Sequence, residues 1–301
     1  MRKTIIFLLV ITALFHSIIF CHHAIIMVID GARYSETFGA DSIYIPHIWN
    51  QLRVQGTMWI QFYNEGITKT DPGHASISTG VREQIDNRGH LRPQHPTIFE
   101  YLRKATNAPE SSAAVVVGKD KLDILTYSTH PGYGESYKAG SFIASHDTSV
   151  VQKLKEVLHQ NHPRLVIVNL PTTDIVAHRK DWEGYLMAIR RADSLVAEIW
   201  SVVQADSIYH NNTTLFITND HGRHDDLHGG FADHGDSCNG CRHIMLLAIG
   251  KGFPKNRIVL TKRTQCDIAP TIGELLSFPT PYSTGTSLLG DTVLADKILI
   301  R

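Results

Sequence analysis

Neither sign of charge prevails in this chain: Lys plus Arg number 29, Asp plus Glu number 29, and the formal net charge is +0. A nucleic-acid-binding protein usually carries a clear basic excess, so no nucleic-acid partner is expected. Cysteine is scarce, with four residues. Cys238 and Cys241 form the one C-x-x-C, and without a second such pair a structural zinc knuckle is not expected. In an oxidising compartment a local disulfide is the expected state of this pair. The chain also lacks internal repeats, low-complexity segments and a Pro-rich linker. Nothing divides it, and residues 22–301 are expected to form one domain.

What is present is an ordinary globular composition, 43% hydrophobic and 19% charged over 301 residues, enough for a substantial core. Arg2 and Lys3 precede the apolar run Thr4 to Phe15, a pattern that fits an export signal. No small-x-small pattern precedes His22, and Ile19 and Phe20 do not suit lipid attachment at Cys21. Residues 1–21 therefore read as a signal peptide or an uncleaved N-terminal anchor. The product is expected to be exported, periplasmic or extracellular, with membrane contact only through this segment if it stays uncleaved or lipidated.

Short apolar runs alternate with helical patterns, which predicts an α/β fold with a mostly parallel central sheet and helices on both faces. Candidate strands are Ala24–Ile29, Ala113–Val117, Leu165–Leu170, Thr214–Thr218 and Ile244–Ile249. They are apolar on both faces, as buried parallel strands are. The clearest helix runs from about Trp182 to Val203, where Tyr185, Leu186, Ile189, Ala192, Val196, Ile199 and Val203 follow the 3.6-residue spacing. Thr97 and Glu100 make a capping box for a second helix, and a third covers Ser149 to Gln160. Ser128–His146 and His221–Arg242 read as long irregular stretches, which inside a compact domain are usually functional.

Histidine is unusually frequent, at 18, and many of these residues stand beside Asp and Gly. Three candidate strands end in such residues: the first at Asp30-Gly31, the third at Asp174 with His178 four residues on, the fourth at Asp220-His221-Gly222. The carboxyl ends of strands line the ligand crevice in open α/β sheets. Asp and neutral His are good zinc ligands, and a helical turn points residues i and i+4 the same way. A lone Asp at a strand end is more often a helix cap; three such tips converging argue for a metal site. In the segment Thr68 to Gly80, Pro72 suits a first helical turn. That places Thr70 at a helix N-terminus, where backbone N–H groups favour an anion. Its hydroxyl is a weak nucleophile until a metal activates it, and taken alone it reads as a cap.

The order Asp30, Thr70-Asp71-Pro72-Gly73-His74, Asp174 to His178, Asp220-His221-Gly222 and a later His-Gly resembles the alkaline phosphatase superfamily. Thr68 to Gly80 looks most like its nucleotide pyrophosphatase/phosphodiesterase and phosphonoacetate hydrolase branches, and Asp267 to Leu276 resembles the superfamily's closing helix. The resemblance spans about residues 24 to 290 and implies an alkaline phosphatase-like three-layer sandwich. It implies two divalent metal ions of the zinc type. One would be held by Asp174, His178 and a late histidine, with His234 favoured over His243 and His228. The other would be held by Asp30, Asp220 and His221, with the Thr70 oxygen directed at it. It further implies that Asn87 donates to a phosphoryl oxygen and that Lys119 and Lys121 bind substrate.

The resemblance thus implies a two-metal hydrolase that cleaves a small-molecule phosphate ester or phosphonate through a phospho-threonine on Thr70. A sulfatase is the nearest rival, but that branch begins its motif with an oxidisable Cys or Ser and has Arg where His74 stands. A phosphoglycerate mutase uses Ser and needs a large inserted domain. A catalytically dead member that keeps the metals would lack part of the active-site set, and nothing obvious is missing from it.

Overall fold

The computed structural model describes residues 23–292; the segment read as an export signal lies outside the described residues. The strands are β1 (His23–Ile29), β2 (Gly56–Tyr63), β3 (Ala113–Val117), β4 (Gly140–Ile143), β5 (Leu165–Leu170), β6 (Thr213–Thr218), β7 (His243–Gly250), β8 (Arg257–Val259) and β9 (Arg263–Thr264). The helices are α1 (Thr70–Thr79), α2 (Ile98–Thr106), α3 (Asp147–Asn161), α4 (Thr172–His178), α5 (Trp182–Ala205), α6 (Asn239–Arg242) and α7 (Ile268–Leu276). All strands join one sheet in the order β4-β3-β5-β1-β6-β7-β2-β8, with β9 also on β2. Pairing is parallel except where β7 runs antiparallel to β6 and β2.

A parallel ladder is stable when both faces are covered, and every residue of β1, β3, β5 and β6 is buried. Alternation along β1 divides the core in two. Ala24, Ile26 and Val28 pack with residues of α1, α2 and α7, whereas Ile25, Met27 and Ile29 pack with α3 and α5. Helices therefore cover both faces, as the sequence predicts. Among the described residues no helix is long and apolar enough to cross a membrane.

The capping box at Thr97 is formed: the Thr97 side chain accepts from the Glu100 N–H, and Glu100 Oε2 accepts from the Thr97 N–H at 2.7 Å. The third predicted helix begins two residues early, at Asp147, because His146 caps it by accepting from the Ser149 N–H. Four strands are absent from the sequence reading. β2 is broken by an irregular register between Trp59 and Phe62, which blurs its alternation. β4 lies inside the stretch read as irregular and alternates in exposure at the sheet edge, while β8 and β9 have only three and two residues.

Asp193 shows how the segment after β1 is held. Its carboxylate is fully buried within α5 and accepts the backbone N–H of His47 at 3.0 Å and of Ile48 at 2.7 Å. Replacing Asp193 by Ala strands two donors, each costing about 1–3 kcal/mol. Urea denaturation of Asp193→Ala is expected to show a loss of about 2–4 kcal/mol; a change below about 0.5 kcal/mol, the level of a neutral surface substitution, would contradict this role.

Candidate active site

β3, β5, β1 and β6 run side by side in the same direction, and β2 shares that direction through its two-step pairing with β6. Their carboxyl ends form one edge. Asp30 follows β1, Lys119 follows β3, α4 with Asp174 and His178 follows β5, Asp220 and His221 follow β6, and residues 64–69 lead from β2 into α1 at Thr70.

Asp30, Asp220 and His221 are fully buried and present three ligand atoms within 4.8 Å of one another. His221 Nε2 lies 3.3 Å from Asp220 Oδ2 and 3.6 Å from Asp30 Oδ1. These same three atoms have no hydrogen-bond partner. Buried polar atoms are almost always paired, so three unpaired lone-pair donors facing one point fit a cation. His74 Nδ1 also approaches Asp220 Oδ2, at 3.2 Å, but its hydrogen is better placed on the Thr70 carbonyl at 2.9 Å.

A second trio adjoins the first. His178 Nε2 lies 3.1 Å from His234 Nε2 and 3.3 Å from Asp174 Oδ1, and His234 Nε2 lies 3.5 Å from that carboxylate oxygen. Ligand atoms at about 2.0–2.2 Å from a tetrahedral ion stand roughly 3.3–3.6 Å apart, which these separations approach. His234 stacks on His221 with ring centroids 3.8 Å apart. Its Nδ1 donates to the Thr68 carbonyl at 2.9 Å, which leaves Nε2 as the free lone pair. Of the other late histidines, His228 pairs with Asp225 at 2.6 Å, and His243 lies between Tyr34 and Tyr63 with Nε2 on the Ile60 carbonyl. Neither joins the trio.

Thr70 is buried at the first position of α1, and its side chain caps nothing: Lys69 is the capping residue and makes no side-chain cap bond. The Thr70 hydroxyl instead receives a bond from Lys119 Nζ at 3.3 Å, and the same ammonium bridges Asp30 at 2.8 Å and Asp174 at 2.7 Å. Lys121 lies apart from the trios, on Asp71 Oδ1 and Asn87 Oδ1, each at 2.8 Å. Asn87 Oδ1 also accepts the Asp71 N–H at 3.0 Å. The helix N-terminus is therefore less open than its sequence suggests, since one N–H is taken and Pro72 has none.

The metalloenzyme superfamily model matches residues 135–280. In structure the chain resembles a protein of the alkaline phosphatase superfamily from Vibrio parahaemolyticus (TM-score 0.66, 14% identity, covering 89% of this chain and 70% of that one). The resemblance to the alkaline phosphatase superfamily thus holds in the fold, beside a metalloenzyme superfamily match over just under half of the chain. Its fold also resembles the lipoteichoic acid synthase LtaP of Listeria monocytogenes (TM-score 0.68, 13% identity, 91% and 77% covered). The phosphonate monoester hydrolase of Agrobacterium radiobacter is similar too (TM-score 0.63, 12% identity, 90% and 77% covered). In sequence it is 28% identical over 169 residues to a phosphopentomutase of Pseudothermotoga lettingae, covering 51% of this chain and 39% of the relative. The chain spans less than half the length of the curated relatives it matches.

The metalloenzyme superfamily match implies divalent metal binding, and the electrostatics of the edge suit it. Burial depresses the basicity of His221 and His234, His221 further through its neighbour His234, so both rings are neutral and offer lone pairs. Burial and then the Asp30 carboxylate push Asp220 up to about 6. Burial works against the Asp174 carboxylate, yet the His178 bond and the Lys119 and Arg223 charges hold it well below the usual range. Burial likewise opposes the Lys119 charge, and Asp30 and Asp174 overcome it to hold the ammonium protonated.

Arg223 is absent from the sequence reading. It is fully buried, bonds Asp174 Oδ1 and the Phe231 carbonyl, and reaches the Ala232 carbonyl at 3.0 Å. A single arginine beside a Gly carries no periodic signal. Asn169, which donates to Asp30 Oδ2 at 2.8 Å, was more accessible, being the one polar residue in the strand LVIVNL. Gly31 is required between these groups: its φ is +68°, and a Cβ there would lie 2.8 Å from Arg223 Nη1 and 2.9 Å from Asp174 Oδ1. Gly31→Ala is expected to cost about 1–3 kcal/mol in thermal unfolding and to weaken divalent-metal retention on dialysis. An unchanged melting curve with unchanged metal content would refute this.

Proposed function

We propose that this chain is an exported, divalent-metal-dependent hydrolase of phosphate esters or phosphonates, acting through a covalent phospho-threonine on Thr70, with residues 22–301 working as one domain. The observation that carries the reading is the pair of ligand trios flanking a buried, non-capping threonine hydroxyl. Asp30, Asp220 and His221 would hold one zinc-type ion and Asp174, His178 and His234 the other. Such ions supply positive charge that acidifies a hydroxyl and steadies a leaving oxygen.

The chain's own residues divide the remaining work. Thr70 Oγ1 forms a bond to phosphorus as the ester or phosphonate bond breaks, and its proton ends on the leaving group. Water then cleaves the phospho-threonine and restores the hydroxyl. Lys119, held protonated 3.3 Å from Thr70 Oγ1, meets negative charge on the transferring group. Asn87 has its Oδ1 filled by Asp71 and Lys121, which leaves its amide hydrogens to a phosphoryl oxygen. Lys121 positions Asn87 and adds positive charge at the binding edge. Thr70 and His74 also separate the site from a sulfatase, because threonine cannot form the aldehyde and the buried His74 ring bonds Thr70 and Asn169.

With p-nitrophenyl phosphate and bis-p-nitrophenyl phosphate as substrates, Thr70→Ala is expected to abolish turnover while bound metal stays at the wild-type level. A chelator is expected to silence the wild type, with activity returning on adding metal. Turnover by Thr70→Ala near the wild-type rate would rule out the covalent route. Asn87→Ala is expected to lower kcat by about 10²–10³, the usual effect of losing one oxyanion donor; an unaltered kcat would remove Asn87 from the reaction.

A further inference from the structure

A second group of metal-type donors lies in the loop that joins β6 to β7 and shares no residue with the two trios. His224, Asp236 and Cys241 present ligand atoms within 4.8 Å of one another, with His224 Nε2 3.5 Å from Asp236 Oδ2. Cys238 adjoins this set and also lies within 4.8 Å of ligand atoms of Asp225 and His228. Its thiol interacts with both the Cys241 thiol and the Asp236 carboxylate, and its N–H donates to Asp236 Oδ1 at 2.9 Å. Cys238 and Cys241 are buried free thiols, not the disulfide that the sequence suggests. The turn between them is closed by N–H bonds from Cys241 and Arg242 to the Cys238 carbonyl at 3.2 and 3.1 Å. That turn brings both sulfurs to one side, the C-x-x-C arrangement of zinc-binding loops.

We infer that Cys238, Cys241, His224 and Asp236 form a structural site for one zinc-type cation, separate from the catalytic edge. Two thiolates, an imidazole and a carboxylate are a four-ligand set that suits tetrahedral zinc and leaves no open position. Binding releases the two thiol protons to solvent, since the thiolate is the ligand. Without an ion, burial pushes the Cys241 thiol up. The consequence is mechanical. The loop is already tied at its root by the Gly222 N–H on the Cys241 carbonyl at 2.8 Å and by the His224 N–H on the Asp233 carbonyl at 2.9 Å. An ion joining residues 224, 236, 238 and 241 would fix the stretch that carries Arg223 and His234, and so set the position of the last ligand of the second trio.

The full chain, purified without reductant, is titrated with cobalt(II) and its absorption recorded. Thiolate-to-cobalt charge-transfer absorption in the near ultraviolet is expected in the wild type and in Asp30→Asn, whose change lies in the other site. It is expected to vanish in the double variant C238S/C241S, which binds about one equivalent less metal. His224→Gln is expected to keep the band with weakened affinity, which guards against a double variant that does not fold. A Cys238–Cys241 disulfide found by peptide mass analysis would overturn the proposal. So would a band that persists in C238S/C241S, or no band in protein shown to hold both thiols reduced.

Discussion

Three buried carboxylates, Asp30, Asp174 and Asp220, meet at one edge of the sheet, and the surrounding structure is arranged around that concentration of negative charge. Removing such groups from water is expensive unless opposite charge is close. Lys119 bridges Asp30 and Asp174, and Arg223 takes the remaining side of Asp174. Asp220 has weaker compensation, from two backbone N–H groups on Oδ1 and the His74 ring 3.2 Å from Oδ2. Asp220, with Asp30 as neighbour, is pushed up to about 6, and one oxygen of each, with His221 Nε2, lacks any hydrogen-bond partner. Cations at the trios would supply the missing charge, so metal binding and the integrity of this edge are one physical problem.

The sheet produces this convergence through register. β5, β1 and β6 are consecutive neighbours in parallel, and adjacent strands stand about 4.8 Å apart. Acidic residues just beyond their carboxyl ends must therefore lie close together, whatever their separation along the chain. β3 lies next to β5 and delivers Lys119 to the same place. α1 is directed there by β2, and Asn64 at the start of the connection donates to the Asp220 carbonyl at 2.8 Å.

The parts of this arrangement that depend on local pattern were readable from sequence. Strands buried on both faces, such as Ala113–Val117 and Leu165–Leu170, declare themselves as unbroken apolar runs, and α5 does so through its helical spacing. The Asp and His residues after those strands stood out because their type and position agree. Groups whose role comes from tertiary contact did not. Arg223 acquires its meaning from Asp174, 49 positions away, and β4 exists because β3 is there to pair with it. The Asp71 N–H in the first turn of α1 looked available until Asn87, 16 residues on, was seen to accept it. Substrate preference is equally non-local, as structures of similar fold are named for lipoteichoic acid synthesis and phosphonate hydrolysis.

The central claim, that the three carboxylates and their histidines hold two cations beside Thr70, is tested most directly by crystallography. Crystals of the zinc-saturated full chain would be measured above and below the zinc absorption edge. Two anomalous peaks are expected, one among Asp30, Asp220 and His221 and one among Asp174, His178 and His234. A map with no peak at either trio, or with Lys119 still bridging Asp30 and Asp174 at full zinc saturation, would contradict the account.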